Sequence, residues 1–146
     1  MDFPSPGTNP GFLFQQNTLR DAVLAGLNLN VFHSHAERVR MTNIAQMVNV
    51  LQAMIQTQDA KMVLTPTYHV YRMYVPFQDA TLLPVTFNAG EYKFGAITLP
   101  RVDAIAARGK DGKVWVALTN LDPNRPADVS ASVAGISASS AVGEVL

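Results

Sequence analysis

The spacing of apolar and polar positions changes along the chain, from helical periodicity in the first half to short strand-like runs in the second. Between residues 12 and 28, apolar residues recur every three or four positions, which is the spacing of one helix face. Thr18 and Asp21 stand in the relative positions of a capping box, so a helix start at Thr18 competes with a start near Gly11. Val31 and Phe32 are expected to lead out of this helix towards a strand.

A second helix is predicted after Thr65, because threonine is a favoured N-cap residue and Pro66 suits the first helical position. Pro76 sets its end, since proline cannot continue a helix. Tyr68 and Tyr71 lie on one face of this helix. We assign that aromatic stripe to core packing rather than to ligand stacking.

Between the two helices, residues 35–50 (HAERVRMTNIAQMVNV) contain a short apolar run that polar side chains interrupt. A run of this length predicts a buried strand of a parallel sheet, although periodicity alone does not exclude a helix. Residues 51–61 are predicted to form a loop.

Gln46 is the residue of this run that a plain core strand does not explain. A buried amide left without partners costs about 1–3 kcal/mol, so it needs either a structural partner or the hydroxyls of a ligand. The residues alone favour the structural role, because buried polar groups are regularly satisfied within the protein. Asn49, three residues later, either lines the same rim or caps the following turn, and we favour the cap.

From about Ala80 onward, the pattern is that of short antiparallel strands separated by turn sequences such as Asn-Ala-Gly, Gly-Lys-Asp-Gly and Asp-Pro-Asn-Arg-Pro. The candidate strands are residues 81–87, 97–108, 113–119, 127–133 and 141–146. The second half of the chain is therefore predicted to be an antiparallel β module.

Composition narrows the classes of function. The 146 residues carry 11 basic and 11 acidic side chains without a Lys/Arg cluster, which argues against nucleic acid as a partner. The absence of cysteine excludes disulfides and thiolate metal sites. No apolar run approaches the length of about 20 residues that a membrane span needs. His33 and His35 would point to different faces of a helix, so no metal site is predicted.

Three segments carry a family resemblance: NPGFLFQQNTLRDAVLAGLNLNVF at residues 9–32, the run at 35–50, and TPTYHVYRMY at 65–74. In this order they resemble the later part of the α-L-arabinofuranosidases of glycoside hydrolase family 51, and the similarity extends over the chain from Pro6 onward. The resemblance implies an α+β fragment. Residues 1–79 would form the last helix–strand–helix portion of a (β/α)8 barrel, and residues 80–146 part of an antiparallel, jelly-roll-like β-sandwich.

The resemblance also implies a function, which is retaining hydrolysis of terminal non-reducing α-L-arabinofuranosyl residues from arabinan, arabinoxylan or their oligosaccharides, without a cofactor. The two catalytic glutamates of the family lie at the ends of the fourth and seventh barrel strands, before the first residue here, so the isolated chain is expected to be inactive. Glu37, Glu91 and Glu144 match neither of them. The resemblance gives Gln46, at the end of the eighth strand, a hydrogen bond to the arabinose, at the barrel face where active sites lie.

Two alternatives from other classes remain for residues 80–146: a non-catalytic carbohydrate-binding module and a structural interaction module. A binding module presents exposed aromatic rings to sugars, and Phe87, Tyr92, Phe94 and Trp115 are the candidates. Substrate preference, localisation and a homo-oligomeric state of the parent enzyme are left open by the sequence.

Overall fold

The computed structural model describes residues 17–45 and 47–146 and is an α+β arrangement whose strand pairs within sheets are antiparallel, as the sequence predicts at this level. The elements in chain order are α1 (Leu19–Ser34), β1 (Ile55–Gln58), β2 (Lys61–Leu64), α2 (Pro66–Tyr74), β3 (Thr81–Leu83), β4 (Glu91–Phe94), β5 (Ile97–Pro100), β6 (Val102–Arg108) and β7 (Val114–Asn120). A 3-10 turn, Val75–Phe77, follows α2.

Helix α1 begins after Thr18, the later of the two predicted starts. The Asp21 carboxylate accepts a hydrogen bond from the Thr18 backbone N–H at 2.6 Å, which satisfies a donor at the helix start. The helix continues to Ser34, so the expectation that Val31 and Phe32 lead into a strand is wrong. Packing of α1 against α2, β6 and β7 explains the extension, because tertiary contacts supply most helix stability in proteins.

Helix α2 starts as predicted at Thr65 and Pro66. The Thr65 hydroxyl accepts a hydrogen bond from the Tyr68 N–H at 3.4 Å and donates one to the Ala53 carbonyl at 2.7 Å. The helix ends at Tyr74, before the predicted stop at Pro76. The aromatic stripe packs in part as predicted, since Tyr71 lies against the buried cluster that both helices form.

The prediction of a strand within residues 35–50 is wrong for the part that the structure describes. Residues 35–38 form a turn, and residues 39–45 have no regular structure. Residues 47–49 make a single parallel bridge, in which the Ile55 N–H donates to the Met47 carbonyl at 3.1 Å. A parallel strand needs neighbours that take up its backbone hydrogen bonds, and no described strand runs beside residues 39–45.

The loop predicted at residues 51–61 is also wrong, because strands β1 and β2 form a hairpin there. Ile55 pairs with Leu64, and Gln58 pairs with Lys61 across the tight connection. Asp59 takes the left-handed backbone conformation at the turn, with φ of 53°. Asp-Ala lacks the glycine of the strongest hairpin signals, and for this reason the sequence pattern missed it.

The remaining strands fall into a three-stranded sheet in the order β3–β6–β7 and a two-stranded β4–β5 ribbon. The single strand predicted at 97–108 is two strands that belong to different sheets, and the predicted strand at 81–87 is shorter. Strand β7 matches its prediction closely, whereas β4 was missed. Residues 127–133 and 141–146 contain no strand, so those two predictions are wrong. Asp128 in the first segment and Gly143 in the second are residue types that are depleted in strands.

A polar and aromatic contact zone joins the helices to the three-stranded sheet. Asn30 of α1 donates a hydrogen bond to the Asp103 carboxylate of β6 at 2.7 Å and accepts one from the Tyr74 hydroxyl of α2 at 2.5 Å. Phe77 is buried beside Tyr74 and packs with Ile105. We call these five residues the helix–sheet junction, and it fixes the orientation of both helices relative to the sheet.

Candidate substrate-binding cleft

A cleft of about 240 Å³ lies between the two helices and the segment that follows α1. Helix α1 forms one wall with four apolar side chains and with Asp21 and Asn28, and Thr67 and Tyr71 of α2 contribute further polar groups. The segment contributes Asn43, Ala45 and Gln52. The cleft is therefore an amphipathic space next to the position of Gln46 in the chain.

Two hydroxyl groups of α2 add to the hydrogen-bonding capacity of the cleft. The Thr67 residue is 1% exposed, and its hydroxyl has no hydrogen-bond partner among the residues that the structure describes. The Tyr71 phenol is protonated at neutral pH, as its ordinary pKa of about 10 requires, and burial raises that pKa further. Sequence reasoning missed Thr67 as a cleft residue, because an unpaired hydroxyl results from packing and leaves no pattern in the sequence.

Gln46, the predicted sugar-binding residue, lies outside the described residues, and its role stays a prediction. Its two neighbours in the chain are described. Ala45 lines the cleft, and Met47 is held on β1 through the hydrogen bond of its carbonyl with Ile55.

Asn49 has a structural role, in line with the expectation that it supports a turn. Its amide donates to the Thr57 hydroxyl at 2.8 Å and accepts from the Thr57 N–H at 2.7 Å. Its backbone lies in the left-handed region, with φ of 56°, which asparagine tolerates better than most residues. Asn49 therefore ties the segment after Gln46 to strand β1.

The three glutamates of the chain are exposed and lie apart from one another in separate ion pairs. Glu144 pairs with Arg72 at 2.6 Å, Glu91 with Lys93 at 2.9 Å, and Glu37 lies near Arg38. A retaining glycosidase needs two carboxyl groups about 5–5.5 Å apart on opposite sides of one sugar bond. None of these three carboxylates is placed for that role.

The histidines have structural or solvent-exposed positions. His33 donates from Nδ1 to the Leu29 carbonyl at 2.7 Å, and its ring lies 5.4 Å from that of Phe77. His35 is exposed beside Glu37. Residues 17–45 and 47–146 contain no group of three His, Cys, Asp or Glu side chains that could hold a metal ion. Over the same residues, no helix is long and apolar enough to cross a membrane.

A second, more polar cleft of about 390 Å³ lies between β4 and the loop after β7. Its lining is Glu91, Tyr92, Lys93, Asp122, Asn124 and Arg125. From the sequence, this loop was predicted only as a turn between two strands. The turn assignment is confirmed by the hydrogen bond from the Asn124 N–H to the Asp122 carboxylate at 3.0 Å.

The helix pair, the antiparallel sheets and the two clefts define an α+β domain whose three glutamates form no glycosidase pair. Residues 2–146 match the family model described as the α-L-arabinofuranosidase C-terminal domain. The chain belongs to this family.

Individual relatives agree with the family model. The chain is 46% identical over 142 residues to an intracellular exo-α-L-arabinofuranosidase of Bacteroides ovatus, a match that covers 97% of this chain and 28% of the relative. It is 27% identical over 126 residues to a probable α-L-arabinofuranosidase C of Aspergillus niger, covering 81% of this chain and 24% of that protein.

Among solved structures, the chain resembles the crystal structure of the GH51 arabinofuranosidase from Xanthomonas axonopodis pv. citri. The TM-score is 0.76 and the sequence identity 62%, over 82% of this chain and 24% of that one. The chain thus spans about a quarter of the length of the relatives that it matches.

Proposed function

We propose that this chain is the C-terminal part of a retaining α-L-arabinofuranosidase, which removes terminal non-reducing α-L-arabinofuranosyl residues from arabinan, arabinoxylan or their oligosaccharides. The observation that carries the proposal is the family match over residues 2–146. The 46% and 62% identities to proteins named as arabinofuranosidases support it.

In this proposal, residues 1–79 complete a (β/α)8 barrel and residues 80–146 belong to a jelly-roll-like β-sandwich. An apolar surface beside the first cleft supports the barrel assignment, because Met41 is 76% exposed and Met47 59% exposed. Such a surface on a short chain is suited to packing against a larger body. The connection between the 3-10 turn that ends at Phe77 and the strand β3 that starts at Thr81 supports a proposed boundary at residue 79.

Catalysis in the complete enzyme requires two carboxyl groups, a nucleophile and an acid/base, and we assign both to the part of the enzyme outside this chain. The contribution of this chain is Gln46. A side-chain amide carries two donors and an acceptor, so it can hold a sugar hydroxyl in a fixed orientation beside the nucleophile. The open cleft beside Ala45 supports this assignment, since it leaves room for polar contacts at that end of the segment.

A chimaera tests the proposal, in which this chain replaces the matching 142 residues of the Bacteroides ovatus relative. We expect the chimaera to hydrolyse an aryl α-L-arabinofuranoside and the isolated chain to show no turnover. Gln46→Ala should lower kcat/KM of the chimaera by about 10- to 150-fold, the effect of one lost hydrogen bond to substrate. Gln58→Ala, at the exposed end of β1, is the matched control and should change it less than twofold.

Two results would contradict the proposal. Turnover by the isolated chain would mean that it holds its own catalytic groups. Equal activity of the Gln46→Ala and Gln58→Ala chimaeras would remove Gln46 from the substrate site while leaving the family assignment intact. The resemblance implies a nucleophile in a Glu-Trp pair at the end of the seventh barrel strand, so an in-frame Glu-Trp pair encoded shortly upstream of Met1 would supply independent support.

The alternative of a carbohydrate-binding module draws support from one observation: the ring of Phe94 on the β4–β5 ribbon is 71% exposed. Trp115 does not serve as a platform, because it packs against the buried cluster around Phe77. Retardation of the chain in a gel containing arabinoxylan would favour this module, and migration equal to that in a plain gel would oppose it.

A further inference from the structure

The polar cleft between β4 and the loop after β7 contains a charged side chain, that of Arg125, whose orientation is fixed by a buried carboxylate. This carboxylate belongs to Asp122, whose side chain is 3% exposed. The carboxylate accepts hydrogen bonds from the Asn124 N–H at 3.0 Å and from Arg125 Nε at 2.7 Å. Arg101 Nε lies 3.7 Å from the same carboxylate oxygen that Arg125 contacts. A buried carboxylate surrounded by donors in this way is ionised at neutral pH.

These contacts hold Arg125 by one end of its guanidinium group. Only Nε is engaged by Asp122, and the side chain is otherwise exposed towards the cleft. Within the described part of the chain, the two terminal nitrogens of Arg125 make no hydrogen bond. Asn120 fixes the backbone as well, because its amide donates to the Arg125 carbonyl at 2.8 Å. The guanidinium group is thus preorganised with one pair of donors unused.

The surroundings of this donor pair favour an anion attached to a ring. The charges of the lining residues balance, with Lys93 and Arg125 against Glu91 and Asp122, and Arg101, outside the lining but 3.7 Å from the Asp122 carboxylate, adds one positive charge next to the cleft. The half-buried Tyr92 contributes an aromatic side chain to the same cleft. A guanidinium group presents parallel N–H donors that match the two oxygens of a carboxylate.

We propose that this cleft binds a carboxylate-bearing sugar, a hexuronate residue, with the carboxylate on the terminal nitrogens of Arg125 and the sugar ring against Tyr92. The inference rests on the proposed function only in taking the partner to be a glycan. It concerns a site separate from hydrolysis, since it uses none of the residues assigned to the first cleft. Its role would be to hold an acidic branch or a neighbouring acidic segment of the glycan.

The test compares the binding of a galacturonic acid trimer and a neutral galactose trimer to the full 146-residue chain by titration calorimetry. We expect the acidic trimer to bind at least tenfold more tightly, and its affinity to fall as salt is raised. Arg125→Ala should weaken binding of the acidic trimer at least tenfold and leave the neutral trimer unchanged. Arg38→Ala, which removes an exposed charge elsewhere, should change neither by more than twofold.

Arg125→Ala also removes the cation that pairs with Asp122, so a second variant is needed to distinguish loss of binding from loss of the fold. Arg125→Lys keeps a cation beside Asp122 but removes the paired donors, so we expect at least a threefold loss for the acidic trimer with an unchanged circular dichroism spectrum. Equal affinities for the two trimers, or full affinity in Arg125→Lys, would overturn the inference. Failure here with an active chimaera removes only this site, whereas an inactive chimaera with intact hexuronate binding removes only the enzyme assignment.

Discussion

The helix–sheet junction and the segment beside the first cleft differ in where their interaction partners come from. At the junction, Asn30 links Tyr74 and Asp103 through hydrogen bonds, and every partner belongs to this chain. In residues 39–45 and 47–52, large apolar side chains such as Met41 face solvent, and regular structure is confined to one bridge. Contacts within the chain therefore stabilise the region where the helices meet the sheet. On the cleft side, apolar side chains stay exposed and are available for contact with a larger body.

The largest predicted effect of a single substitution lies in the junction. Phe77→Ala should lower the free energy of unfolding by about 3–5 kcal/mol, because it removes a buried ring and leaves a cavity. Met47→Ala, on the cleft side, should change it by less than about 0.5 kcal/mol, since that side chain is exposed. Urea unfolding of the full chain measures both. Equal losses in the two variants would erase the contrast between the regions.

The next effect tests whether the polar link of the junction stabilises the fold. Asn30→Ala deprives the Tyr74 hydroxyl and the Asp103 carboxylate of a partner, and we expect a loss of about 1–3 kcal/mol. Asn28→Ala on the exposed face of α1 is the matched control, because it breaks one solvent-exposed hydrogen bond to Leu24. A loss in Asn30→Ala no greater than in this control would show that water replaces the link at no cost.

The same contrast explains how much could be predicted from the sequence. The starts of both helices were predicted, because Thr18 with Asp21 and Thr65 with Pro66 satisfy helix ends within a few residues. Strand β7 was predicted because residues 114–118 form an uninterrupted run of apolar residues. These elements depend on interactions between residues close in sequence, and the local sequence pattern therefore indicates them.

Apart from the local hairpin that its turn sequence did not signal, the main errors concern structure that depends on distant partners. The strand predicted at residues 35–50 needs parallel neighbours, and the described part of the chain supplies none beside residues 39–45. The polar link of Asn30 with Asp103 joins residues 73 positions apart, and nothing in either local pattern indicates it. The sugar-binding role of Gln46 is a prediction from the family resemblance, whereas Thr67 and Arg125 were identified only in the packed structure, since an unpaired hydroxyl or a half-used guanidinium group is a property of packing.

A smaller effect distinguishes two fully buried threonines of α2. Thr65→Ala should lower the free energy of unfolding by about 1–2 kcal/mol, because it removes the helix cap and the bond to Ala53. Thr67→Val should be neutral or raise it by up to about 1 kcal/mol, since the substitution keeps the shape and removes a buried hydroxyl that has no partner among the described residues. Thermal and urea unfolding of the two variants give the comparison. A clear destabilisation by Thr67→Val would mean that this hydroxyl is satisfied, and it would remove the main donor from the cleft.

The smallest effect appears at alkaline pH and comes mostly from Tyr74 of the junction, with a smaller contribution of the same sign from Tyr71, whose pKa burial also raises. Burial, with a further contribution from the Asp103 charge, raises the pKa of Tyr74 well above its ordinary value, and a hydrogen bond with Thr119 lowers it in part. The folded state therefore holds the phenolic proton more tightly than the unfolded state does. The stabilising contribution is complete below the ordinary tyrosine pKa of about 10 and is lost as the pH rises from there towards the folded value.

Urea unfolding between pH 9 and 11 should show this decline in the unsubstituted chain and a weaker one in Tyr74→Phe, after correction for the lower starting stability of the variant. Tyr68→Phe is the control, since this tyrosine lies on the same helix outside the junction, and it should retain the full decline. An identical pH profile in Tyr74→Phe would mean that the phenol loses its proton equally easily in both states, and that the junction is wetter than its contacts indicate.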